Sequence, residues 1–172
     1  MHEVYIQILM NTIHEQYATE RNFFEGILGS EEEQWVAWKA GKASLSAEQN
    51  QKIKNLFSDY EWMLLQKILR QTIIFPEKRN SAISEYKKMK TKIAQKWLQS
   101  ELASAEMIPH SEENKNQHYL DLKVTLTYDE WGFDDILNFR LPAVIQQQIE
   151  NEKVALLDWV NQNLEDTYMS EE

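Results

Sequence analysis

Cysteine is absent from the 172-residue chain. Neither a disulfide framework nor a cysteine-ligated zinc site is available, and a reducing compartment fits. Glycine and proline are scarce, at 4 and 3 residues. With so few breakers, helices can run long. There is no glycine-rich phosphate loop, nucleophile elbow or cysteine nucleophile. No apolar run reaches the roughly 20 residues of a membrane span. The N-terminal MHEVYIQILMNTIHEQ lacks the basic start and continuous apolar stretch of a signal peptide. A cytoplasmic protein with no membrane partner is the expectation. Basic residues are also in the minority, 18 against 28 acidic, for a net charge of -10. That balance argues against broad nucleic-acid binding, which draws its affinity from lysine and arginine.

What is present is apolar and aromatic: 42% hydrophobic and 11% aromatic residues, enough to bury a core. Charge is unevenly spread. Residues 1–50 hold 3 basic and 8 acidic side chains, residues 51–100 hold 11 and 4, and residues 101–172 hold 4 and 16. The middle third is thus a basic island, serving either cohesion within one fold or an anionic partner.

Apolar spacing predicts a helix over Val4 to Tyr17 and a second, capped by Thr19, through Phe23, Phe24, Ile27 and Leu28 to Gly29. Ser30, with Glu33 three residues on, predicts the cap of a third helix carrying Trp35, Val36 and Trp38 and stopping near Gly41. Ser46 opens a fourth through Ile53, Leu56 and Phe57. It either continues to Leu69 or bends near Ser58-Asp59. Pro76 forces a connection. A long helix is expected from Asn80 to Ala103, with Lys88, Lys92 and Lys96 on the face opposite its apolar stripe. PHSEENKNQ (109–117) reads as loop. LDLKVTLTY (120–128) alternates and is the single strand candidate, with 71–75 as its nearest partner. Pro142 at a first-turn position opens a last helix through Ile145, Ile149, Leu156, Val160 and Leu164. The expected fold is all-α: a helical bundle with subdomains 1–75 and 76–172, a loop over 109–118, and one short strand or hairpin near 120–128.

Residues Thr19 to Phe57 resemble a degenerate lambda-repressor-like (XRE-type) helix-turn-helix. The resemblance rests on the helix ERNFFEGIL ending at Gly29, the helix opened by Ser30, the packing tryptophans Trp35 and Trp38, the W-K-A-G-K ending at Lys42, and Leu45-Ser46 leading into Ile53 and Leu56-Phe57. It implies a dimeric transcriptional regulator whose recognition-helix edge is Ser30, Glu31, Glu32 and Gln34. Lys39 and Lys42 would then meet phosphates, with Lys88, Lys92 and Lys96 adding contacts. The edge departs from the pattern in one chemical respect. Glu31, Glu32 and Glu33 are repelled by phosphate and accept hydrogen bonds chiefly from cytosine N4. The same residues also fit an ordinary first helical turn favoured by the helix dipole. The alternative is a protein-interaction module with an acidic surface that binds a basic partner and no DNA.

Catalysis and metals find little support. His14-Glu15 lacks a second histidine one turn on, and His110 and His118 flank a polar stretch with Glu112 and Glu113 between them. Asp129, Glu130, Asp134 and Asp135 in YDEWGFDD do not follow the calcium-loop spacing and read as turn and capping chemistry around Trp131-Gly132. No enzyme activity, cofactor or metal is expected.

Overall fold

A computed structural model describes residues 2–109, 119–151 and 155–170, leaving aside the side chains of Glu150 and Asn151. Elements occur in the order α1 (His2–Gln16), a π-helical turn (Asn22–Ile27), α2 (Glu32–Lys39), α3 (Ala47–Lys54), α4 (Asp59–Ile74), a 3-10 turn (Pro76–Ser81) and α5 (Ala82–Gln99). Then come strands β1 (Ala103–Pro109), β2 (Tyr119–Thr127) and β3 (Asp134–Pro142), and helices α6 (Val144–Asn151) and α7 (Leu156–Met169). The chain divides into two compact units, Met1–Tyr86 and Lys87–Glu172, the division falling within α5.

The first unit is helical, and its starts are set by local chemistry. Ser46 and Ser58 each accept a bond from the backbone N–H three residues on. The Gln49 and Glu61 side chains answer with bonds to the caps' own N–H groups. Complete capping boxes therefore open both α3 and α4. The Thr19 hydroxyl accepts from the Asn22 N–H. Val4, Ile8, Leu9 and Ile13 of α1 are buried, as are Leu64, Leu65 and Leu69 of α4.

The second unit corrects the all-α expectation. Its centre is an antiparallel meander, β1-β2-β3, so the fold is α+β. Leu120, Leu122 and Val124 of β2 and Leu137, Phe139 and Leu141 of β3 are buried on one face, as the period of two requires. Ile145, Ile149, Trp159, Val160, Leu164 and Tyr168 of the flanking helices are buried too. The strand candidate at 120–128 does not pair with 71–75, which lie in α4 up to Ile74. Its partners are β1 and β3, with Asp121 opposite both Ile108 and Arg140. The long helix stops at Gln99 rather than Ala103. Glu101, at φ 64, turns the chain into β1. Pro142 ends β3 instead of opening a helix, and α6 and α7 replace the single last helix. Most of the loop expected over 109–118 lies outside the described residues, as do His110 and His118; Pro109 closes β1. Among the described residues no helix is long and apolar enough to cross a membrane.

Candidate functional site

Helix α2 is held from beneath by rings. Trp35 is buried between Phe23 and Phe24, at 5.8 and 5.9 Å, and Trp38, at 5.2 Å. Phe23 and Phe24 sit on the π-helical turn, whose wider winding ends with Leu28 N–H on the Phe23 carbonyl (3.0 Å) and Ser30 N–H on the Phe24 carbonyl (2.8 Å). Gly29, at φ 66, supplies the left-handed residue that turns the chain into α2. At the other end Gly41, at φ 76, closes α2. Its N–H reaches the Trp38 carbonyl at 2.9 Å, and the Lys42 N–H reaches the Ala37 carbonyl at 2.8 Å. These are the two bonds of a Schellman ending.

The proposed recognition-helix edge divides. Ser30 is not the cap: Glu31 occupies that position with no side-chain capping bond, and the helix begins at Glu32. Ser30 is buried, and its hydroxyl donates to Gln34 Oε1 or to the Glu31 carbonyl, each 3.0 Å away. Ser30 and the half-buried Gln34 are thus engaged within the chain. Glu31, Glu32 and Glu33 are exposed. Glu32 meets Arg21 at 3.3 Å, and Arg21 also lies 3.7 Å from Glu25.

The lysines assigned to phosphate sort in the same way. Lys39 Nζ donates to the Glu20 carboxylate, which also accepts from the Trp35 indole N–H. Lys39 stands 5.7 Å from the Trp35 ring centre. Burial alone would raise the Glu20 carboxyl, but the bonds from Lys39 and Trp35 and the charge of Lys39 outweigh it and hold the group below its ordinary value. Lys42 is exposed. In the second unit Lys88, Lys92 and Lys96 stand exposed on α5 at four-residue spacing. Their neighbours Lys87 and Lys90 are buried, at 4% and 3% exposure. Lys90 Nζ donates to the Asn138 carbonyl (2.6 Å) and the Tyr168 hydroxyl (3.2 Å), and Lys87 lies 4.5 Å from the Tyr168 ring centre.

Sequence reasoning missed the outward side of α2. Val36 is 52% exposed. With Ala37 and Ala40 it floors an open groove of about 490 Å³, rimmed by Glu32, Glu33 and Lys42. The signal was in the sequence: Val36 and Ala40 recur at four residues on the side away from Trp35 and Trp38. A second open cleft, about 810 Å³, lies between the start of α1 and residues 38–50, among them Ser44 and Asn50. There the His2 Nε2 lies 3.2 Å from both the Trp38 and Lys39 carbonyls. Among the described residues no three His, Asp or Glu side chains gather as a metal-binding group. No family model, no curated protein and no solved structure matches the chain.

Proposed function

We propose that this is a protein-interaction module of the cytoplasm, and that the outer face of α2 binds a basic amphipathic segment of a partner protein. One observation carries the reading: three exposed glutamates, Glu31 to Glu33, lead into an open groove floored by Val36, Ala37 and Ala40. An apolar strip beside carboxylates suits a helix with apolar anchors and flanking lysines or arginines. It does not suit a phosphate backbone. The fixed aromatic bed under α2 supports the same reading, because a rigid face loses little freedom on binding. The function is binding rather than catalysis.

The second reading keeps the lambda-repressor-like regulator, with its dimer. The exposed row Lys88, Lys92 and Lys96 favours it, since such a row can lie on phosphates without reading bases.

Fluorescence anisotropy separates the two, using a labelled amphipathic lysine–leucine peptide and a labelled duplex of about 20 base pairs at about 50 mM salt, where phosphate contacts are strongest. The expected result is peptide binding that is lost in the triple variant E31K/E32K/E33K and weakened in Val36→Glu. Peptide binding unchanged by these substitutions overturns the first reading. Duplex binding that disappears in K88E/K92E/K96E establishes the second.

A further inference from the structure

The connection between β2 and β3 displays two large aromatic side chains to solvent. Trp131 is 79% and Phe133 55% exposed. The turn that carries them is nonetheless ordered by bonds of its own. The Trp131 N–H donates to the Tyr128 carbonyl at 3.1 Å, and the Gly132 N–H donates to the Asp129 carbonyl at 3.2 Å. The Tyr128 hydroxyl donates to Asp135 Oδ2 at 2.6 Å, and the Tyr128 and Phe133 rings lie 5.1 Å apart. Beneath them Thr127 and Asp134 close the strand ladder. Gly132 adopts φ 69, and Asp129 adopts φ 39, a region that costs a residue with a Cβ steric energy.

Burial within the chain does not explain why the indole is held outward, because the indole is in solvent. The charge of the turn itself has one sign. Between Tyr128 and Asp135 stand Asp129, Glu130, Asp134 and Asp135 and no cation. The geometry points to a docking surface for an arginine- or lysine-rich segment of a partner protein. Guanidinium or ammonium groups stack on the open faces of Trp131 and Phe133. The flanking carboxylates accept their hydrogen bonds. Because the turn is already ordered, the aromatic anchors lose little freedom when the segment binds. Four carboxylates repel a nucleic acid, and they would have to follow the indole into a lipid headgroup layer, where anionic lipids oppose them. This surface is separate from the α2 face, and neither reading depends on the other.

The test uses the full chain and a fluorescein-labelled peptide of alternating arginine and glycine, read by anisotropy at low and physiological salt. Binding that weakens as salt rises is expected. Trp131→Ala should weaken it about tenfold or more, as loss of a central aromatic anchor does, and leave the melting temperature unchanged. Phe133→Ala should weaken it less. The triple variant D129N/E130Q/D134N keeps Asp135 on Tyr128 and should lose most of the salt dependence. E31K/E32K/E33K should bind this peptide as the parent does. Four outcomes overturn the proposal. These are no peptide binding by the parent, equal binding by Trp131→Ala, a lowered melting temperature in Trp131→Ala, and Trp131-dependent self-association or partition into neutral phosphatidylcholine vesicles in place of peptide binding.

Discussion

In the first unit a path of rings runs from Phe24 through Trp35, Trp38, Tyr5 and Trp62 to Phe57, each pair 5.2 to 6.3 Å apart, with Tyr5 and Trp62 half-buried and the others buried. In the second unit Trp131 and Phe133 stand in solvent, while the cations Lys87 and Lys90 are buried against Tyr168. The first unit keeps the usual placement, and the second departs from it at both kinds of residue. Around α2 the first unit hides Trp35 and Trp38 and shows Glu31 to Glu33; the second shows Trp131 and Phe133 and hides Lys87 and Lys90. Residue type therefore does not decide role here, and neighbours do. A tryptophan between two phenylalanines is scaffold. A tryptophan on an ordered acidic turn is free to meet a partner.

The sharpest way to break this contrast is to truncate one tryptophan from each unit. Trp35→Ala removes a fully buried indole and should cost about 3–5 kcal/mol, the range for large aromatic-to-alanine changes in cores. Trp131→Ala should stay within about 0.5 kcal/mol of the parent, as surface changes do. Urea unfolding followed by circular dichroism measures both. Equal losses would mean that Trp131 packs and that the contrast is false.

The lysines of α5 give the next largest effect. Lys90→Ala strips the stem from between Phe139 and Tyr168 and leaves the Asn138 carbonyl without the donor that reaches it at 2.6 Å. A loss of about 1–3 kcal/mol is expected. Lys88→Ala, two residues away and exposed, should change stability by less than about 0.5 kcal/mol. If Lys88→Ala costs as much as Lys90→Ala, α5 has no distinct buried and exposed cationic faces.

The same pair shows where the sequence was legible and where it was not. Four-residue spacing marks Lys88, Lys92 and Lys96 as one face, and they are exposed together. Nothing in that spacing says that Lys90 points inward, because its partners, Asn138 and Tyr168, lie 48 and 78 residues away. The capping serine Ser46 was readable because a cap is local, and Ser58 was legible only as a bend; the same local signal misplaced the cap of α2 at Ser30, one residue before Glu31. Strand β2 was readable from its alternation. β3 carries the same alternation in Leu137, Phe139 and Leu141, yet Pro142 drew attention to a helix start. β1 was hidden for a different reason. Ala103, Ala105, Glu106 and Met107 favour helix by composition, and it is pairing with β2 that makes them extended. Of the candidate site, the exposed glutamates were legible, whereas the bond from Lys39 to Glu20 joins residues 19 apart and has no local signature.

Capping differs between the units as well. Ser58 closes a full capping box on α4, whereas α7 has Ala155 at its cap with no side-chain bond. Ser58→Ala should cost about 1 kcal/mol. Ala155→Ser should return part of that amount, since Ala155 already has the extended backbone, φ -64 and ψ 144, that a capping residue needs. Thermal unfolding of the two variants sharpens the comparison. A stabilising Ser58→Ala, or an Ala155→Ser more damaging than Ser58→Ala, would contradict the capping account.

The smallest effect concerns Lys39, the phosphate candidate of the first unit that is tied to a carboxylate. Glu20 is held below its ordinary value of 4.5 by Lys39 and Trp35. A carboxyl depressed in the folded state contributes stability above its unfolded value, and that stability is lost as pH falls through the folded value. Glu20→Gln should therefore cost about 1 kcal/mol or less near neutral pH, where a partly exposed pair is screened. The difference from the parent should shrink below about pH 4.5 and vanish as the parent's own carboxyl is protonated. Tyr5 supplies the opposite sign within the same unit. Burial pushes its phenol up to about 12 from 10.0, so its contribution is complete below pH 10 and is lost as pH rises toward 12. Unfolding curves across both limits should show Glu20→Gln differing from the parent most at neutral pH and least in acid, and Tyr5→Phe losing less stability than the parent in alkali. A Glu20→Gln difference that persists in acid would mean that Lys39 is not held by charge. Lys39 would then be available to a phosphate, and the edge of α2 would lose the feature that sets it apart from the lysine row on α5.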